Sequence, residues 1–241
     1  HCAMGEATER HAGEMGMPRG PQDELAARSH ELAARARADG ILADEIVSVQ
    51  VPRRRGEPVV VTDDEGIRPG VDASSLGKLA PAFAPDGNIT AGNASQISDG
   101  GAAVVVTTME RAEQLGVEPL AEVVSHGQVA GPDTSLLHQP SNAISLALED
   151  AGLQVGDLDL FEINEAFAAV ALASIDALGV PPDIVNVNGG AIALGHPIGM
   201  SGTRIVLTLA HELKRRGGGL GAAGLCGGGG QGEALVLRTV A

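Results

Sequence analysis

From Gly100 onward, short apolar runs alternate with stretches of helical periodicity, and this alternation restricts the fold more than any other feature of the sequence. Ala102–Thr108 (AAVVVTT) reads as a continuous apolar strand, and Thr107 with Glu110 has capping-box spacing for a short helix ending at Gly116. Pro119–Val129 reads as a second strand. The stretch SNAISLALEDAG follows as a helix, with Ser141 as N-cap, Ile144, Ala147, Leu148 and Ala151 on one face, and Gly152 as C-cap. Asp157–Ile163 is strand-like and runs into Asn164, where a helix ending before Gly179 begins. Asp183–Val187 is another strand, a Gly-rich loop and a helix over Ser201–Arg216 come next, and Leu220–Cys226 and Glu233–Val240 close the chain as strands. Strands and helices alternating at this spacing predict an α/β layered domain with a mostly parallel sheet.

The first hundred residues are less regular. Pro21–Ala38 carries helix signals: an early Pro, acidic residues in the first turn, an apolar face, and Gly40 as the stop. Glu45–Val51 and Pro58–Thr62 are strand-like, separated by the basic run Arg53–Arg55, which is most simply a solvated loop. Gly66–Asp99 is rich in Gly, Pro, Asp and Ser and reads mostly as loop.

Composition bears on the class of function. With 31 acidic against 16 basic side chains, the 241 residues carry a net charge of −15, which disfavours nucleic acid and anionic membrane surfaces as partners. No apolar run approaches the roughly 18 residues of a membrane span. The core must be built from Ala, Val, Leu and Ile, because the only aromatics are Phe83, Phe161 and Phe167. Cys2 and Cys226 make no disulfide framework, which fits a reducing, cytoplasmic setting. The sequence starts at His1 without Met or leader features, so a chain that begins part-way through a longer one is expected.

Ligands of open α/β sheets bind beyond the carboxyl ends of the strands. Asn164 directly follows one strand, Cys226 ends another, and His196 lies in the loop after a third. Around His196, Gly189, Gly190, Gly195, Gly199 and Gly202 let backbone approach a ligand closely. Gly190 and Gly195 have Walker-loop spacing, but His196-Pro197 stands where Lys-Ser or Lys-Thr is required. CGGGGQG (Cys226–Gly232) contains G-x-G-x-x-G, yet a strand follows instead of the helix that a dinucleotide site needs. Its glycines can leave N–H groups free as oxyanion donors beside a thiol, or form a plain hairpin loop beside an inert Cys. NEAFA (Asn164–Ala168) is ordinary helix-capping sequence or the carrier of a carboxamide that holds a water. No Cys or His spacing suggests a metal.

Taken in order, TAGNASQISDGGAAVVV, DLDLFEINEAFAA, VNVNGGAIALGHPIGMSG and GLCGGGGQG resemble the successive signatures of the thiolase family, from about Met4 to Ala241. The resemblance implies a two-step ping-pong acyl transfer between CoA thioesters, as in acetyl-CoA acetyltransferases, with no cofactor beyond those substrates. By motif match His196 would activate a nucleophilic Cys and contribute to an oxyanion site. Cys226 would be the acid/base acting on the α-proton of acetyl-CoA, Asn164 would hold a water in the first oxyanion hole, and the Gly228 N–H would contribute to the second. Met4, Arg68, Ser75, Leu79, Phe83, Ala91, Ser95 and Phe167 fall where the family contacts CoA or its pantetheine arm, and Leu136 would line the acyl pocket, whose loop lacks the Gly-Pro often seen there.

The same resemblance implies a thiolase-like α/β fold with a complete C-terminal α/β/α half and an N-terminal half largely missing, including the nucleophile. Cys2 does not stand in the nucleophile's motif. The expected divisions are a remainder of the CoA-covering loop domain (1–97), the last strand and helix of the N-terminal half (98–115), and the C-terminal domain (116–241). A homo-oligomer, dimer or tetramer, is implied when the family's full length is present. The alternative is a truncated, catalytically inactive relative that at most binds CoA or serves as a scaffold.

Overall fold

A computed structural model describes residues 2–240. Helix α1 (Met4–Glu14) and helix α2 (Arg19–Ala38) open the chain. A 3-10 turn (Leu42–Asp44) then leads to an antiparallel ribbon of β1 (Val49–Val51) and β2 (Val59–Val61). A single-turn helix α3 (Ala73–Leu76) and a long irregular segment precede α4 (Met109–Leu115), which Thr108 caps by accepting a hydrogen bond from the Arg111 N–H. The cap is therefore Thr108, one residue beyond the Thr107 of the sequence reading. Helix α1 had no periodic signature in the sequence: its buried positions are Gly5, Ala7, Thr8, Glu9 and Ala12, a stripe of small and polar residues.

The layered domain follows: β3 (Ala121–Ala130), α5 (Gln139–Ala151), β4 (Leu160–Ile163), α6 (Ala168–Leu178), α7 (Ala191–Leu194), α8 (Ser201–Arg215), β5 (Leu220–Gly227) and β6 (Gln231–Thr239). The sheet order is β3-β6-β5-β4. One face meets α5 and α6 through Ile144, Leu148, Phe161, Ile163, Ala171 and Val236; the other meets α8 through Leu160, Ile205, Leu209, Leu213 and Leu237. Small residues let the layers close tightly. A Cβ at Gly127 or Gly232 would strike the backbone of α5, and the Ser125 hydroxyl donates to Ala147 O on the same helix at 2.7 Å.

Three expectations are corrected. The sheet is not mostly parallel: among the described residues only the β4–β5 strand pair is parallel, while β5–β6 and β3–β6 are antiparallel. Only Gly228–Gly230 separates β5 from β6, and so short a link can form a hairpin but not the crossover a parallel pair requires. Asp183–Val187 is not a strand. It forms a 3-10 turn (Pro182–Ile184) and one bridge, Phe161 to Val185, before Asn186 turns the chain at φ +48°. The Asn186 side chain takes over the ladder, accepting from Ile163 N and donating to Ile163 O, both at 2.8 Å.

Ala102–Thr108 is the third. Among the described residues it joins no sheet, and Val105 is 94% and Val106 80% exposed. Apolar side chains suit a buried strand, but a strand exists only where a neighbouring backbone completes its hydrogen bonds.

Candidate active site

The parallel strands β4 and β5 end side by side, placing Asn164 and Cys226 at the same edge of the sheet. Asn164 does not start a helix. Its N–H donates to Gly224 O at 2.9 Å, and the next residues run extended beside the TAGNAS segment: Ser95 N donates to Ala166 O, Ala168 N donates to Asn93 O, and Ala94 bridges Phe167. Helix α6 therefore begins four residues later than the sequence suggests, because sideways pairing outcompetes the first helical turn.

Glu165 fixes this corner. Its carboxylate is 1% exposed and accepts from Ser29 Oγ (2.6 Å), Asn186 Nδ2 (3.0 Å) and the Ile192 N–H (3.1 Å), three donors that make burial of the charge tolerable. A side chain at Gly190 would collide with that carboxylate.

The His196 loop is held from two directions. Gln96 donates to Gly66 O, Ile192 O and Ala193 O, while its own backbone carbonyl accepts from the His196 N–H at 3.2 Å. Gly195 turns the chain at φ +95°, a conformation that favours glycine. The imidazole Nδ1 lies 2.6 Å from Ser201 Oγ, at the start of α8, and Asn164 Nδ2 lies 3.4 Å from Nε2.

The Ser201 hydroxyl has one proton and two acceptors within reach, His196 Nδ1 and Pro197 O at 3.0 Å. Donation to Nδ1 leaves the neutral ring with Nε2–H, an oxyanion donor. Donation to Pro197 O makes Oγ the acceptor of Nδ1–H and leaves Nε2 free as a base. One hydroxyl rotation thus supports both chemical roles. Burial first, then the positive charge of Arg204, lowers the pKa of His196 below the usual imidazole value, so the ring is neutral near pH 7.

Cys226 is buried, and burial pushes its thiol up to about 12, so at rest it is a proton donor and not a thiolate. Behind His196 lies Asn164, 0% exposed, with an Oδ1 that has no hydrogen-bond partner among the described residues. A buried acceptor of this kind is suited to hold a water donor.

A cavity of about 910 Å³ opens over these groups. Of the residues singled out from the sequence, it is lined by Met4, Phe83, Ala91, Ser95, Leu136, Phe167, His196, Cys226 and Gly228. Phe83 and Phe167 meet edge to face at 6.1 Å, forming an aromatic corner in a chain otherwise short of aromatics.

Arg68, Ser75 and Leu79 do not line the cavity, each for a local reason. Ser75 caps α3 in a reciprocal pair with Asp72. Leu79 lies against Gly92. Arg68 is tied through its backbone N–H to His30 Nδ1 at 3.2 Å while its side chain is exposed. Asn164 also stands behind the lining. Gln96, Glu165 as a hub, Asn186 and Ser201 also build the site, although the residue types and spacing of the first three do not mark them in the sequence. Of these, only Ser201 had a visible signal, its position five residues after His196 at a helix start.

Comparison with known proteins accounts for this combination. The thiolase N-terminal domain model matches residues 1–110 and the thiolase C-terminal domain model matches residues 117–239. The chain belongs to the thiolase family. Among its thiolase relatives is a "Probable acetyl-CoA acetyltransferase" of Mycobacterium tuberculosis, 59% identical over 98% of this chain and 60% of its own length. The "3-ketoacyl-CoA thiolase" of Bacillus subtilis is 45% identical over 99% of this chain and 63% of its own. The crystal structure of the Bacillus anthracis acetyl-CoA acetyltransferase superposes with a TM-score of 0.96 at 43% identity, covering 100% of this chain and 61% of that one.

The chain thus spans about three fifths of the length of these thiolases. The expectation that the N-terminal thiolase domain is largely missing is not supported, because residues 1–110 match that domain. Those residues look like an irregular remainder in sequence because their order comes from small buried residues and side-chain hydrogen bonds. Among the described residues no helix is long and apolar enough to cross a membrane.

Proposed function

We propose that this chain performs the acid/base part of a thiolase-type acyl transfer, acting on acetyl-CoA and acetoacetyl-CoA in Claisen condensation and its reverse, thiolysis. The observation that carries the reading is the convergence of His196, Cys226 and Gly228 on one cavity, with the orphaned Asn164 Oδ1 behind it. The thioester would lie with its acetyl group between Cys226 and His196. In one direction the Cys226 sulfur, after its own proton has passed to a solvent base or to a released CoA thiolate, takes a proton from the acetyl carbon. The electron pair moves onto the thioester oxygen, and the His196 Nε2–H together with a water held by Asn164 stabilises the developing charge. In the other direction the Cys226 thiol returns that proton to carbon. The Gly228 N–H is assigned to the second oxyanion site, Leu136 to the acyl pocket, and Met4, Phe83, Ala91, Ser95 and Phe167 to the pantetheine arm. A homo-oligomeric assembly belongs to the same proposal, supported by the exposed Val49, Val51, Val60 and Val61 of the β1–β2 ribbon.

A second reading, a thiolase relative that binds CoA without turnover, is favoured by one observation: Cys226 is held as a thiol well above neutral pH. One experiment separates the two. Incubation with acetyl-CoA in D2O reads carbanion formation directly, by methyl deuteration in mass spectrometry, and needs no acyl-enzyme. Catalysed exchange that falls at least ~100-fold in Cys226→Ala and His196→Asn supports the first reading. Binding of acetyl-CoA by calorimetry with no exchange above buffer supports the second.

A further inference from the structure

Beside the cavity, but not lining it, is a buried charged cluster that the proposed acid/base roles leave unused. Glu162 on β4 is 3% exposed, and Arg204 on α8 reaches it at 3.4 Å, Nη1 to Oε2. Two residues after Glu162 the strand delivers Asn164. One helical turn before Arg204 stands Ser201, whose hydroxyl holds His196. The pair therefore joins the strand that leads into Asn164 to the helix whose first residue, Ser201, holds the imidazole that Asn164 approaches at 3.4 Å.

Other charged groups face the same guanidinium. Glu45, after the Leu42–Asp44 turn, accepts from Thr208 Oγ1 on α8 at 2.6 Å, and its Oε1 is buried without a partner among the described residues. Arg204 Nη2 is in the same condition. Asp64, in the turn after β2, senses the Arg204 charge, and Asp63, Glu165, His211, Glu212 and Arg215 lie around the cluster. On the cavity side, Ser201 and Asn164 are uncharged, and the titratable groups lining the cavity with His196 are Cys226 and Glu233.

We infer that Arg204 is a positioning residue of the acid/base site, tying α8 to β4 and supplying the fixed positive charge behind the His196–Ser201 contact. Breaking a buried ion pair usually strands a charge. Here burial raises the Glu162 carboxyl to about 8, so near neutrality Glu162 is protonated and does not itself cancel the Arg204 charge; burial raises the carboxyl groups of Glu45 and Asp64 as well. Arg204→Gln then removes a cation without stranding Glu162 as an anion.

The inference rests on the assignment of His196 to the reaction, but its test needs no turnover. The imidazole of His196 is titrated by NMR in the 15N-histidine-labelled 241-residue chain, its signal identified by its loss in His196→Asn. Arg204→Gln raises the His196 midpoint by roughly half to one pH unit, and Arg204→Lys, which keeps the charge, leaves it at the wild-type value. The double variant Glu162→Gln/Arg204→Gln, a neutral pair able to hydrogen-bond, shows the same rise and guards against misfolding of the single variant. An unchanged midpoint in the double variant overturns the inference, as does a shift in Arg204→Lys as large as that in Arg204→Gln. Failure of the deuterium-exchange experiment with the titration shift intact would count against the catalytic reading alone.

Discussion

Two apolar runs of this chain have nearly the same character and opposite fates. Leu160–Ile163 is buried at every position between α-helical layers, paired to β5 and bridged to Val185. Ala102–Thr108, richer in β-branched residues, joins no sheet among the described residues and leaves Val105 and Val106 in solvent. An apolar β-prone run thus records a capacity to be buried, while burial itself depends on a neighbour's backbone groups. Within 117–239 those neighbours are all close at hand; for Ala102–Thr108 none stands among the described residues.

The comparison is broken most forcefully in the closed region. Phe161, 1% exposed and the largest fully buried side chain among the described residues, contacts the α5–α6 layer; Phe161→Ala is expected to cost ~3–5 kcal/mol in urea unfolding. A loss under about 1 kcal/mol would mean that this layer is no better filled than the open segment. A smaller effect concerns the carboxyl group buried in the same strand. Glu162 is pushed up to about 8 from an ordinary value of 4.5, so the folded state binds a proton that the unfolded state releases between those values. Its contribution to stability is complete below about pH 4.5 and is lost as pH rises through about 8. Glu162→Gln should therefore flatten the pH dependence of the urea midpoint between pH 5 and 8, and a slope unchanged from wild type would refute that assignment. The smallest effect is expected at the open segment. Val105→Ser with Val106→Thr should alter stability by no more than ~0.5 kcal/mol while lowering self-association in sedimentation experiments. A large destabilisation would show that these valines are covered in solution.

Elements with a strong period or a helix stop were readable from residues alone. The second helix, the strands at Ala121–Ala130 and Leu220–Gly227, and α8 lie within a few residues of expectation, and Gly152 and Gly179 end their helices in the left-handed conformation. The position of Cys226 at the end of β5 was legible for the same reason, whereas His196 follows the short helix α7 because the strand expected before its loop does not form. What escaped has a common cause: it depends on side chains replacing backbone. Asn186 completes a ladder that the sequence presents as a strand, Gln96 spans three carbonyls, and Asn93 organises the TAGNAS turn by accepting from Thr90 N and donating to Asp23. No periodicity encodes such partners, which lie up to 97 positions away. The direction of the sheet escaped because alternation of strand and helix suggests crossovers, and the hairpin between β5 and β6 is concealed in a glycine run.

The Glu165 carboxylate also has a kinetic meaning. It closes loops of 136, 21 and 27 residues at a single point, to Ser29, Asn186 and Ile192. Contacts of such long separation are made only after much chain entropy has been surrendered, so this corner belongs to the late part of assembly. The Ile192 N–H, donated to this buried carboxylate, is expected to exchange slowly with solvent. An exchange rate shared with the amides around Ser29 and Asn186 would make it a clock for cooperative opening of helix α2, the turn at Asn186 and the NEAFA segment as one unit.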